Sequence, residues 1–155
     1  MHIQEDTRQQ AGKHDLKHEW FEEHGVELVR SKLPFGDYAA LPTIAVDTKK
    51  DMEEIASNIC GKQHQRFINE CKAAKAAGCK LVILVENRVG ILDISQVHEW
   101  VNPRAVYSEH CVQGPRLQRA MMTISERYGA EFHFCRPEEA GERIMEILNG
   151  DKHMP

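Results

Sequence analysis

Two carboxylates and a lysine lie close together within residues 36–49 of the chain. Asp37 follows a glycine, and a single residue separates Asp47 from Lys49. Side chains two positions apart on a β-strand point to the same face, so Asp47 and Lys49 project together if this segment is extended. Carboxylates bind hard divalent cations such as Mg²⁺ or Mn²⁺, and a neighbouring lysine can stabilise the charge that develops during phosphodiester hydrolysis. An exposed Asp–Lys pair on an ordinary surface hairpin is the alternative interpretation.

Hydrophobic periodicity places these residues within an α/β domain. Apolar patterns predict strands over residues 3–7, 26–32, 43–48, 80–86 and 131–135, and the continuous apolar run at 81–85 predicts burial on both faces. Helices are predicted over 15–24, 52–60, 63–77, 95–100, 114–127 and 138–148. We expect the strands at 26–32 and 43–48 to form a hairpin around the turn at 34–37. We also expect a core over residues 1–90, and a helix–strand–helix extension over 91–155 that continues the same sheet.

Composition and charge exclude several classes of protein. The chain has 155 residues, a formal net charge of −4 and 41% hydrophobic residues, which is typical of a soluble globular protein rather than a polybasic binder. No apolar run is long enough to span a membrane. Five scattered cysteines indicate reduced thiols, so we expect a cytoplasmic location. Residues 62–119 are net basic and both flanking thirds are net acidic, as an enzyme acting on nucleic acid with a metal ion requires.

Several short motifs follow one another in a fixed order over residues 3–88. They are D-T-R-Q at 6–9, G-D-Y at 36–38, V-D-T-K at 46–49 and R-F-I-N-E-C at 66–71, followed by a buried strand that ends in Glu86. This order resembles the XPF-family nuclease domain, whose patterns are D-x-R-E, G-D-Y, V-E-R-K-x-x-x-D and R-[LF]-x-x-[EQ]-C. The resemblance implies a restriction-endonuclease-like fold, in which helices flank a central mixed β-sheet.

The resemblance also implies an activity and the residues that carry it. The activity is divalent-metal-dependent DNA endonuclease cleavage of branched or flapped DNA in recombination or repair. The stand-alone form resembles those of phages and mobile elements, which implies the cytoplasm of a bacterial or phage-infected cell. Asp37 and Asp47 would bind the Mg²⁺ or Mn²⁺ ion, and Lys49 would be the catalytic lysine. The other implied positions are Asp6 as an accessory acidic residue, Glu53 with Asp51 as its neighbouring substitute at the final acidic position, and Arg8 and Arg66 facing the site or the DNA backbone.

The sequence departs from the family pattern at several positions. Asp47 replaces the usual glutamate, Thr48 the usual arginine and Gln9 the glutamate of the first motif. Residues 90–155 also lack the repeated Gly-x-Gly hairpins of the tandem helix-hairpin-helix module that larger relatives use to bind DNA and to dimerise. Two alternatives therefore remain, a catalytically inactive DNA-binding or regulatory partner, and an unrelated α/β domain that matches by accident.

Other residues are candidates for contacts with DNA, a second subunit or a metal. Four basic side chains on predicted helices or loops could contact phosphate or could be ordinary solvated residues; they are Lys72, Arg104, Arg116 and Arg119. A homodimer is one arrangement we consider, with the apolar face of the helix at 114–127 as its candidate interface. Two weaker metal sets are His14 with His18, and Cys60 with His64 and Cys71, for which exposed histidines and buried thiols are the alternative.

Overall fold

The computed structural model describes residues 2–8, 12 and 14–150. These residues contain six strands, β1 (His2–Asp6), β2 (Glu27–Ser31), β3 (Tyr38–Ala40), β4 (Ile44–Lys49), β5 (Lys80–Glu86) and β6 (Glu131–Cys135). Five α-helices accompany them, α1 (Asp15–Glu23), α2 (Met52–Cys60), α3 (His64–Ala76), α4 (Gly114–Tyr128) and α5 (Ala140–Leu148). Short 3₁₀ segments occur at Ile94–Glu99, Pro103–Val106 and Pro137–Glu139.

The strands form one mixed sheet in the order β2-β1-β3-β4-β5-β6. β1 runs parallel to β2 and antiparallel to β3, β3 runs antiparallel to β4, and β4, β5 and β6 run parallel to one another. Pairing of β6 with β5 confirms that the C-terminal helix–strand–helix extends the same sheet. The predicted mixed sheet flanked by helices is therefore confirmed.

The predicted hairpin between residues 26–32 and 43–48 is wrong. β4 pairs with the three-residue strand β3, while β2 lies at the sheet edge beside β1. The connection between β2 and β3 is not a surface turn, because Leu33 and Phe35 are 1% and 4% exposed and belong to the core. The connection therefore passes β1 as a partly buried segment before the chain enters the sheet again as β3.

The sheet separates two hydrophobic cores. We call the side covered by α2, α3 and α4 the front face, and the side covered by α1 and α5 the back face. Alternation along β4 sends Ala45 to the front core, and Ile44 and Val46 to the back core. β5 is buried on both faces as predicted, because helices cover both sides of it.

Two helices bury one face against the sheet. α1 buries Lys17 and Phe21 against the back face, while Leu16 on the same helix is 46% exposed. The apolar face of α4 is not a free interface, because Leu117, Met121 and Ile124 lie within the front core. In the described part of the chain, every helix is too short or too polar to cross a bilayer.

Candidate functional site

The C-terminal end of β4 presents Asp47 and Lys49 on the front face. Their spacing of two residues along an extended strand produces this common orientation, as the sequence predicts. The Nζ atom of Lys49 lies 2.8 Å from Oδ2 of Asp47, and the two side chains are only 12% and 10% exposed. They therefore form a largely buried ion pair, and not the exposed surface pair that was the alternative.

Asp37 reaches the same end of the sheet from the residue before β3. Its backbone N–H donates to the carbonyl of Val46 at 2.8 Å, which fixes it beside β4. Gly36 makes this approach possible, since its φ of +78° is unfavourable for other residues, and a Cβ there would lie 3.1 Å from the Val46 carbonyl oxygen. Residues of β4 fix the carboxylate of Asp37, because both the backbone N–H and the hydroxyl of Thr48 donate to its Oδ2.

Glu70 on α3 is a third acidic residue of the site, and sequence reasoning missed it. Its Oε1 is buried and has no hydrogen-bond partner among the described residues. Burial raises the pKa of Glu70 to about 8, and the nearby carboxylates of Asp47 and Asp37 add to this shift while Lys49 opposes it. The signal was present in the motif at residues 66–71, where Glu70 stands at the [EQ] position.

Lys49 is positioned by neighbours on two helices. Its Nζ donates to Oδ1 of Asn58 on α2 at 2.8 Å, and it lies 5.8 Å from the centroid of the Phe67 ring on α3. Burial alone would lower the pKa of Lys49, but the Asp47 carboxylate outweighs it and the net pKa is raised. Lys49 therefore remains a cation at physiological pH, which suits charge stabilisation rather than proton abstraction.

The acidic side chains at the C-terminal end of β4 have the chemistry that Mg²⁺ or Mn²⁺ requires. They offer hard carboxylate oxygens, and the buried Oε1 of Glu70 has no partner in the described structure. Within residues 2–8, 12 and 14–150 no three His, Cys, Asp or Glu side chains form a ready-made metal cage. Mg²⁺ usually keeps several waters and needs only one or two carboxylates, so Asp47 and Glu70 fit it better than they would fit zinc.

The accessory acidic residues have structural contacts. Asp6 accepts a hydrogen bond from the Leu33 N–H at 3.0 Å and pairs with Arg8, whose guanidinium also donates to the Leu33 carbonyl. Asp51 is the N-cap of α2 and accepts from the Glu54 N–H at 2.8 Å. Glu53, in the first turn of α2, lies 3.7 Å from the Arg104 guanidinium. These contacts position the loops and the helix that surround the site.

The other predicted basic residues are exposed and spread over several elements. Arg66 and Lys72 lie on α3, and Arg116 and Arg119 lie on α4. Arg104 follows the buried Asn102, whose side chain accepts from the Arg104 N–H at 3.0 Å. None of these contacts tests DNA binding, so these roles stay predictions.

The two weaker metal sets have other partners. His18 lies 2.5 Å from a carboxylate oxygen of the buried Glu5, and the His14 ring meets Tyr38 edge-on at 5.5 Å. His64 contacts the carbonyl of Ile59 through Nδ1. All five cysteines are free thiols, and burial, together with Glu70 and Asp47, raises the pKa of Cys71 to about 12.

Comparison with known proteins identifies the family. The model described as the ERCC4 domain matches residues 6–147, which is most of the chain. The chain belongs to the ERCC4 domain family of XPF-type nucleases. A search of curated proteins found no sequence that matches.

Solved structures of the XPF type share the fold of this ERCC4 domain. XPF from Aeropyrum pernix superposes with a TM-score of 0.69 at 18% identity, covering 99% of this chain and 66% of that one. XPF from Aeropyrum pernix in complex with DNA also gives 0.69 at 18% identity, with 97% and 64% covered. The chain thus spans about two thirds of those proteins, and the likeness establishes a shared architecture.

Proposed function

We propose that this ERCC4 domain is a divalent-metal-dependent DNA endonuclease that cleaves branched or flapped DNA in repair or recombination. The observation that carries the proposal is the meeting of Asp47, Glu70 and Lys49 at the end of β4. Among the described residues, the carboxylates of Asp47 and Asp37 lie near enough to raise the pKa of the Glu70 carboxyl, while Lys49 opposes them. Carboxyl groups that gather in a largely buried site are costly unless a cation neutralises them.

Each side chain has a role that follows from its position. Asp47 would hold the Mg²⁺ or Mn²⁺ ion with a second carboxylate, Asp37 or Glu70, and waters would complete its coordination, because no three such side chains form a ready-made cage among the described residues. When bound, such an ion supplies neutralisation of the phosphate charge and activation of the attacking water. Lys49, kept cationic by Asp47, stabilises the charge that develops on the phosphate oxygens. Asn58 holds the ammonium of Lys49 in place.

DNA is the proposed substrate because of family membership and because a structural neighbour, XPF from Aeropyrum pernix, was solved in complex with DNA. The exposed basic residues on α3, α4 and the 3₁₀ segment at Pro103–Val106 belong to the same front side as the site. Lys72, Arg104, Arg116 and Arg119 are therefore the proposed phosphate contacts.

The test is cleavage of single-stranded, duplex, flap and four-way DNA with Mg²⁺ or Mn²⁺. We expect cleavage of flap or four-way DNA to exceed cleavage of duplex, and we expect Lys49→Ala to lower the rate by roughly 10²–10³-fold. The matched control is Lys80→Ala, which removes an exposed lysine at the opposite end of the parallel strands. A wild-type chain that binds these DNAs but cuts none would establish a DNA-binding partner without catalysis.

A further inference from the structure

Thr48 contacts the carboxylate of Asp37, and it stands at a position where the family pattern has arginine. Thr48 is 1% exposed, so it does not reach solvent or a bound polymer directly. Its N–H donates to Oδ2 of Asp37 at 2.9 Å, and its hydroxyl donates to the same oxygen at 2.7 Å. One residue of β4 thus makes two hydrogen bonds to one carboxylate oxygen of the site.

Strand geometry explains why this contact is separate from the Asp47–Lys49 pair. Because neighbouring residues on a strand point to opposite faces, Thr48 cannot project beside Asp47 and Lys49. It approaches Asp37 from the other side of the strand. Threonine is also stiff at χ1, so its hydroxyl is held in a narrow range of directions.

We propose that Thr48 is a positioning residue that orients the Asp37 carboxylate for divalent cation binding, an inference that rests on the proposed function. A carboxylate on a short side chain rotates freely unless its oxygens are held, and hydrogen bonds to a ligating carboxylate typically change metal affinity by 10–100-fold. The N–H of Thr48 is fixed by the strand, so the hydroxyl is the variable part of this contact. In this chain the residue at the arginine position of the motif thus holds the Asp37 carboxylate through its hydroxyl and its N–H.

The experiment compares Thr48→Val, Thr48→Ala and Thr48→Ser. Valine preserves the shape and removes the hydroxyl, whereas the alanine and serine variants differ from each other only by that hydroxyl. Mn²⁺ affinity is measured by electron paramagnetic resonance without DNA, and kcat and KM are measured on flap DNA. The control is Thr123→Val on the exposed side of α4, and urea unfolding checks that each variant folds.

We expect Thr48→Val and Thr48→Ala to bind Mn²⁺ about tenfold more weakly than the wild type, with kcat lowered and KM for DNA within twofold. Thr48→Ser should remain close to the wild type in both measurements, and Thr123→Val should be unchanged. Equal Mn²⁺ affinity in the wild type and in folded Thr48→Val or Thr48→Ala would overturn the role of Thr48. So would a serine variant as weak as the alanine variant.

The outcomes separate this inference from the proposed function. If the wild type binds Mn²⁺ and cleaves DNA while the Thr48 variants match it, only the positioning role fails. If the wild type binds no Mn²⁺ and cleaves nothing, the metal-dependent nuclease itself is refuted, and the role of Thr48 is refuted with it.

Discussion

Two groups of charged side chains, one largely buried and one fully buried, lie at the same end of the sheet on opposite faces. The front cluster consists of Asp37, Asp47, Lys49 and Glu70. The back pair consists of Lys17 and Glu86, whose charged atoms are 2.6 Å apart and whose side chains are 3% and 9% exposed. The back pair matches one positive charge with one negative charge. The front cluster sets three carboxyl groups against one ammonium.

The two groups differ in charge balance, and we infer that the back pair stabilises the fold whereas the front cluster has a functional role. The buried ion pair of Lys17 and Glu86 ties α1 to the end of β5. The front cluster relieves its excess of acid by raising the pKa of Glu70 to about 8, so that this carboxyl holds a proton near neutrality. A cation bound beside Glu70 would compete with this proton. The front cluster is therefore the group that we propose to bind a divalent cation.

The largest expected effect comes from breaking the back pair. Lys17→Met removes the ammonium that lies 2.6 Å from the buried Glu86 carboxylate, so we expect a loss of about 3–5 kcal/mol in the free energy of unfolding, measured with urea. Lys80→Met is the control, because its pair with Glu131 is roughly half exposed and should contribute about 0–1 kcal/mol. A loss below about 1 kcal/mol for Lys17→Met would show that the back pair is not a structural tie.

The next largest effect is stabilisation of the front cluster by a divalent cation. Mn²⁺ at 100 times its Kd should raise the free energy of unfolding by about 2.7 kcal/mol, because only the folded chain brings the carboxylates together. Asp47→Asn should abolish this gain, whereas Glu126→Gln, on an exposed position of α4, should keep it. Equal stabilisation of Asp47→Asn would place the bound ion elsewhere.

A smaller effect is the dependence of the free energy of unfolding on pH in the absence of metal. The folded-state pKa of Glu70 is about 8 against an ordinary value of 4.5, so between these values the folded chain holds a proton that the unfolded chain has lost. The contribution of Glu70 to stability is therefore complete below pH 4.5 and falls by up to about 1.4 kcal/mol per pH unit as the pH rises toward 8. Glu70→Gln mimics the protonated form and should remove this slope in urea unfolding series from pH 5 to 7.5. Identical slopes for both proteins would contradict the charge imbalance of the front cluster.

The smallest effect concerns the support of Lys49. Asn58→Ala removes the side-chain oxygen that accepts from Lys49 Nζ at 2.8 Å, so we expect about 1 kcal/mol less transition-state stabilisation. This corresponds to a roughly fivefold fall in kcat/KM on flap DNA. Asn69→Ala on the exposed side of α3 is the control and should be unchanged. If both variants behave alike, Lys49 is held by Asp47 without help from α2.

Much of the fold follows from local patterns. The period of two around Asp47 and Lys49 predicts that they share a face, and the apolar run of β5 predicts a strand covered on both sides. Asp51 is recognisable as a helix cap because capping depends on only a few neighbouring residues. The motif order also indicates the family, because each motif is a short stretch of adjacent residues.

Other features required the folded chain. β3 has only three residues, too few for a periodic signal, and so its pairing with β4 and the edge position of β2 were not predictable. The side chains of Leu33 and Phe35 occur in a stretch that reads as a turn, and only packing shows that they are buried.

The sequence by itself determined which chemical groups the site has, namely Asp37, Asp47 and Lys49, and the strand that carries two of them. The tertiary structure decided that Glu70 joins them from α3, more than twenty residues away, and that Thr48 holds Asp37. It also decided that Lys17 closes on Glu86 across 69 positions. Local patterns report the direction of a side chain within its own element. Charge balance in a buried site depends on contacts between elements, which form only when the sheet and its helices pack.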